Sequence, residues 1–179
     1  MRIPGWKRTL LAVPFALSVA AFLPACESGG GGGGSGRVAN IKPGTMPADG
    51  SWTGVYFNPQ YGNLHLVETG TSIAGKWKRT DGSAWGELNG PVNANVLHFE
   101  WTEHKIGLVG PSSTSKGKGY FVYKRPPGDN IDDKLEGEWG LGSDEAGNSW
   151  DCVKQRHVVP DLKSIGGVAE PTGPSKDWK

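Results

Sequence analysis

The chain has 179 residues, with 19 basic and 18 acidic side chains and a formal charge of +1. Phosphate-backbone binding rests on clustered Lys and Arg, and no such cluster occurs here, so nucleic acid is not expected as a partner. Only two cysteines are present, Cys26 and Cys152.

The N-terminus opens with Arg2, Lys7 and Arg8, followed by an apolar run over 9–23 that contains no acidic residue. The run is short of the roughly 18 to 20 residues that cross a bilayer and includes Pro14, with Pro24 just after it, so it reads as an export signal and not as a membrane span. It ends in Leu23-Pro24-Ala25-Cys26, which resembles the lipobox of bacterial lipoproteins. The resemblance implies removal of residues 1–25, acylation of Cys26, and retention at a membrane surface outside the cytoplasm. A thiol suits this role as the strongest neutral-pH nucleophile among the side chains, and several acyl chains on one residue make an effectively permanent anchor. Glu27 and Ser28 occupy the positions that lipoprotein sorting reads; without an Asp there, the resemblance implies the outer membrane. Three of the 19 basic residues and none of the 18 acidic ones precede Cys26, so the remainder sits near −2. With Cys26 acylated, Cys152 has no partner within the chain, and no internal disulfide is expected.

Residues 26–51 read as the lipidated cysteine and a linker. Six consecutive glycines, at 29–34, offer nothing to bury, and 37–51 carry Pro43, Gly44, Pro47 and Gly50 without any period. The folded head is expected over 52–157. Residues 158–179, with Pro160, Pro171, Gly173 and Pro174, read as a loose tail in which Trp178 is the one large docking group.

Within the head, short alternating runs mark eight strands, at 52–57, 63–68, 72–79, 84–89, 95–102, 118–124, 134–140 and 149–155. Turn residues separate nearly every pair, among them Asn58-Pro59 to Gly62, Thr69-Gly70, Asp81-Gly82, Gly90-Pro91 and Pro126-Pro127-Gly128-Asp129. The longest connection, 103–117, is expected to be the loosest. One parity holds Trp52, Tyr56, Leu64, Leu66, Ile73, Trp77, Leu88, Leu97, Phe99, Trp101, Phe121, Tyr123, Leu135, Trp139, Trp150 and Cys152. The other is mainly polar, with Trp85 and Val67 as exceptions that point to a bulge or a partner surface. An all-β fold follows, an antiparallel up-and-down barrel of about eight strands, with a β-sandwich as the alternative. Gly54, Gly75, Gly86, Gly119 and Gly137 fall on the apolar parity beside large residues, as the taper of a small closed barrel requires. From Trp52-Thr53-Gly54-Val55-Tyr56, the later Gly-x-Trp repeats and the strand count, the head resembles the calycin group that includes avidins and lipocalins. That likeness implies the fold and carries over no ligand.

No catalytic motif stands out; Ser112-Ser113-Thr114-Ser115 lacks a nucleophile elbow or a neighbouring base. His98, Glu100, Glu103 and His104 are the ligand types for a metal, and His98 and Glu100 share an outward parity with His65, but their spacing matches no zinc pattern and a solvated strand face accounts for them. No cofactor or metal is expected. The tryptophans permit two readings: core anchors, or a platform in which Trp52, Tyr56, Trp77, Trp101 and Trp139 line a ligand cup. The sequence thus leads to a membrane-anchored, non-enzymatic envelope lipoprotein, attached through acylated Cys26. Its barrel is expected to bind a small apolar or sugar-like ligand or an envelope protein. The rival reading is a structural subunit of a secretion, adhesion or motility assembly.

Overall fold

A computed structural model describes residues 36–166; the expected export signal, Cys26, the glycine tract and the residues beyond 166, including Trp178, lie outside them. The chain forms β1 (Gly54–Asn58), β2 (Gly62–Thr69), β3 (Ser72–Lys78), β4 (Ala84–Asn93), β5 (Val96–Lys105), β6 (Thr114–Lys124), β7 (Lys134–Leu141), β8 (Asn148–Ser149) and β9 (Cys152–Gln155). Among the described residues the only helical piece is a 3-10 turn at Pro111–Ser113. Each strand from β1 to β7 pairs antiparallel with the next, and β9 joins β7 to β1, so eight strands close in up-and-down order with β8 as a short extra strand on β7. The barrel, not the sandwich, is the fold.

The last predicted strand, 149–155, is two pieces. Trp150 donates its backbone N–H to Gly137 O at 2.8 Å, while the Asp151 carboxylate takes the Gly137 N–H at 3.3 Å in place of a backbone carbonyl. The β7–β9 ladder that resumes after this interruption holds only two residue pairs, Lys134 with Val153 and Leu135 with Cys152, making this the thinnest seam of the wall.

Closure around so many aromatic side chains depends on a cross-strand rule. Trp77 stands opposite Gly86, Phe99 opposite Gly119, Trp101 opposite Gly117, and Phe121 opposite Gly137. In each pair the large ring lies over its partner: a Cβ at Gly86 would sit 2.1 Å from the Trp77 ring, and one at Gly119 would sit 2.5 Å from Phe99. Gly75 makes the same room between Leu66 and Leu88. The glycines on the apolar parity are therefore the space into which the neighbouring strand packs.

The barrel has two ends. The first carries the 59–61 and 79–83 turns, the 106–113 loop and the 142–147 loop; the second carries the turns at 70–71 and 94–95 and the 125–133 loop. Trp52 and Tyr56 plug the second end. The Trp52 indole N–H donates to Ala94 O at 3.3 Å, its ring meets Tyr123 edge-on at 5.5 Å, and the Tyr56 hydroxyl donates to Trp52 O at 3.0 Å. Beside them the Tyr123 hydroxyl donates to Asp133, whose carboxylate also holds Arg125. Burial, with that anionic neighbour, pushes the Tyr123 phenol up to about 12, and the guanidinium of Arg125 draws the Asp133 carboxyl below its ordinary range.

Both flanks of the head are fastened to it. Residues 37–51, expected as linker, contain no strand but run along the outside of the barrel. At the first end Arg37 N–H donates to Asp144 Oδ1 at 2.9 Å, Ala39 N–H to Glu145 Oε2 at 2.9 Å, and Glu145 N–H to Arg37 O at 2.8 Å. The other Glu145 oxygen pairs with His98 Nδ1. Towards the second end Gly44 N–H reaches Asn95 Oδ1 at 2.6 Å, Arg125 reaches Ala48 O at 2.6 Å, and Met46 packs against the core. The start of the expected tail docks as well: Asp161 N–H donates to His65 Nδ1 at 2.9 Å, Lys76 to Ile165 O at 3.3 Å, and Ile165 is buried. Gly166 lies against Trp85, where a Cβ would meet the ring at 2.4 Å. The outward Trp85 that breaks the alternation is thus covered by this chain's own segment and stacked on His104 at 4.3 Å.

Candidate functional site

The aromatic residues singled out as a cup divide between the two ends. Trp77, Trp101 and Trp139 converge at the first end; Trp52 and Tyr56 are in the plug of the second and take no part in it. The reason is the register: Trp52 precedes β1 and caps the hairpin turn at Ala94, whereas the other three lie on β3, β5 and β7 near the first end. Two further aromatics complete the cluster. Trp150 sits at its centre, with ring centroids 4.8 Å from Tyr61, 5.0 Å from Trp77, 5.2 Å from Phe121 and 6.1 Å from Phe99. Tyr61 turns inward from the β1–β2 connection and accepts the Trp139 indole N–H at 3.0 Å.

Tyr61 adopts this position because its turn is tightly specified. The Asn58 side chain accepts both Gln60 N–H (2.7 Å) and Tyr61 N–H (2.9 Å), and Gly62 has φ 75°, a left-handed conformation that lets the chain reverse directly into β2. A side chain at 62 would also strike Lys78 O, 2.2 Å from the Cβ position.

Over these rings lies a polar lid. Arg79 donates to Glu103 through Nε at 2.8 Å and through Nη2 at 3.0 Å, a two-pronged pair, and its guanidinium lies 5.6 Å from the Tyr61 ring centroid. Glu103 is buried, which explains why it needs this partner, and the bonded carboxylate holds the Arg79 guanidinium protonated above its ordinary range. Beneath the lid a cavity of about 20 Å³ is bordered by Tyr61, Trp77, Arg79, Trp101, Glu103, Trp139 and Trp150. That is room for one water-sized molecule. The buried indole N–H of Trp77 has no protein acceptor, and its ring borders this space together with that of Trp150. The space has room for one small hydrogen-bond acceptor, and an intact sugar or acyl chain does not fit beneath the lid.

The metal-type residues are dispersed by the same register. His98 pairs with Glu145, Glu103 points inward to Arg79, His104 stacks on Trp85, and His65 accepts from Asp161, on strands β2 and β5 that are separated by β3 and β4. Among the described residues no three His, Cys, Asp or Glu side chains converge.

Cys152 faces the core at 2 % exposure, and burial pushes its thiol far above the ordinary range. A thiol reagent should therefore leave Cys152 of the native protein unmodified over hours at neutral pH and react with it once urea unfolds the chain. Rapid labelling without denaturant would show that β9 opens under native conditions.

Comparison with protein-family models, with curated proteins and with solved structures returned no match, so site and fold rest on the chain's own geometry.

Proposed function

We propose that this chain is an exported, non-enzymatic lipoprotein, cut before Cys26 and held by acyl chains at the envelope, most consistent with the outer membrane. Its barrel works from its outer surface as a docking head for another envelope protein, in the manner of a structural or assembly subunit, and does not carry a small ligand inside. The observation that supports this reading is the filled interior. Ligand sites of this kind need roughly 300 to 1,000 Å³, against a cavity of about 20 Å³ beneath the Arg79–Glu103 lid. Trp52 occupies the other mouth. A head that is solid at both ends keeps its shape while its loops and fastened flanks are presented to a partner.

Two measurements on one preparation test it. Cells grown with radioactive fatty acid should label the natural chain, and Cys26→Ala should lose the label. Tryptophan emission of the purified mature protein should stay unchanged through titrations with fatty acids, phospholipids and mono- and oligosaccharides, while crosslinking in intact cells should trap a discrete protein adduct. A saturable emission shift with a sugar or lipid, without an adduct, would replace the docking reading with a binding one.

A further inference from the structure

The 106–113 loop reads Ile-Gly-Leu-Val-Gly-Pro-Ser-Ser: eight residues without a charge, flanked by Lys105 and, three positions after the loop, Lys116. Its apolar side chains face outward. Ile106 is 52 % exposed, Leu108 53 % and Val109 92 %. Isolated exposed apolar residues are ordinary on protein surfaces, but three within four positions at the tip of one loop form a patch that costs free energy in water unless something covers it.

The loop's place in the fold indicates what covers it. β5 and β6 pair out to His104 with Thr114, whereas the β6–β7 ladder stops at Gly117 with Leu141, so the β5–β6 hairpin projects beyond β7 at the first end. The described chain also starts at that end, where Arg37 is bonded to Asp144 and Glu145 in the loop that follows β7. Nine residues lie between Cys26 and Gly36, and the ten Cα steps cover at most about 36 Å fully extended. An anchor on Cys26 therefore leaves the first end, and with it the projecting hairpin, within reach of the lipid surface. An uncharged apolar tip with basic residues behind it has the composition of a segment that lies in the headgroup and acyl boundary, its lysines left at the anionic surface.

We propose that Ile106, Leu108 and Val109 seat this loop in the membrane to which Cys26 is anchored, so that the barrel stands on the bilayer at two points, with its first end inward. The proposal rests on the lipid-anchored reading and adds a second contact and an orientation to it. It leaves the second end facing away from the lipid.

The test uses the mature, acylated full chain carrying Val109→Cys, or Asp129→Cys in the loop at the opposite end. Each is labelled with an environment-sensitive fluorophore and reconstituted in phosphatidylethanolamine and phosphatidylglycerol vesicles containing doxyl-labelled lipid. Cys152 is buried and stays unlabelled. The label at 109 is expected to shift to the blue and to be quenched roughly three times more strongly than the label at 129, since a seated tip reaches some 5–10 Å into the boundary. Protein that floats with the vesicles yet leaves 109 as wet as 129 overturns the seating while leaving the anchor intact. A label shielded in native membranes but not in protein-free vesicles assigns the tip to a protein partner and also overturns it. A mature N-terminus without acyl chains, in protein that does not float, removes the anchored reading and the seating together.

Discussion

Trp150→Ala should lower stability by about 3–5 kcal/mol, the range for deleting a large buried aromatic side chain. In a head of this size that is a fall of roughly 10 to 20 °C in melting temperature. The reason is its place: one ring joins Tyr61 and Trp77, at the first end, to Phe99 and Phe121 deeper in the barrel. It also lies on the segment that closes the wall, between β8 and β9, where backbone pairing is sparse and side-chain packing does more of the joining. Trp139→Ala provides the contrast. Trp139 is only partly buried and meets Trp101 and Tyr61 at the rim, so its loss should cost about half as much. Thermal unfolding followed by far-ultraviolet circular dichroism separates the two, and equal effects would show that the core is not organised around Trp150.

The second large effect concerns the lid. Arg79→Met should destabilise by about 2–3 kcal/mol, because it strands the buried Glu103 carboxylate without the two charge-assisted bonds that compensate its desolvation. Glu103→Leu should cost less, about 1 kcal/mol, since the Arg79 guanidinium is only partly buried and can swing into water. The double variant Arg79→Met with Glu103→Leu should recover most of the loss of the first, because replacing both members of such a pair removes the desolvation penalty along with the attraction. Urea midpoints of the four proteins form a complete cycle. Additive effects would mean that the lid is held by something other than this pair, and the account of a capped aromatic end would fall.

The strands were legible because the barrel has one dry face and one wet face, so period-two alternation tracks burial along most of β2 to β7, while β1 departs from it with Val55 buried on the outward parity. Glycine on the apolar parity was informative for a steric reason that the structure makes specific: four of the five inward rings on β3, β5 and β6, those of Trp77, Phe99, Trp101 and Phe121, face a glycine on the next strand. What escaped were residues that break alternation for a local cause. Glu103, just past the predicted strand end at 102, carries a charge on the inward parity, yet β5 continues to Lys105 with Arg79 neutralising it. That same continuation shortens the expected loose connection from 103–117 to 106–113. Tyr61 sits in a turn, where periodicity has nothing to say; the cue was the Asn58 to Gly62 spacing, which specifies a turn tight enough to aim the intervening side chain inward. Asp151 interrupts the final strand because its carboxylate replaces a backbone acceptor, and no alternation rule anticipates such a substitution. The flanks were hardest. Proline and glycine in 37–51 and 158–166 disfavour helix and ladder alike, but they do not prevent a segment from lying along a barrel whose Trp85, His65, Asp144 and Glu145 give it something to bond or pack on.

The clip formed by Arg37 and Ala39 on Asp144 and Glu145 determines how mechanical load travels through the molecule. Tension drawn on the chain ahead of residue 36 meets this junction first, and the bonds at Gly44 and Ala48 next, before any of it arrives at β1. Peeling one strand from a closed sheet breaks its rungs one at a time and needs little force. Here the pull is taken up first by a loop and a strap outside the wall, so these contacts must give way before β1 begins to unzip.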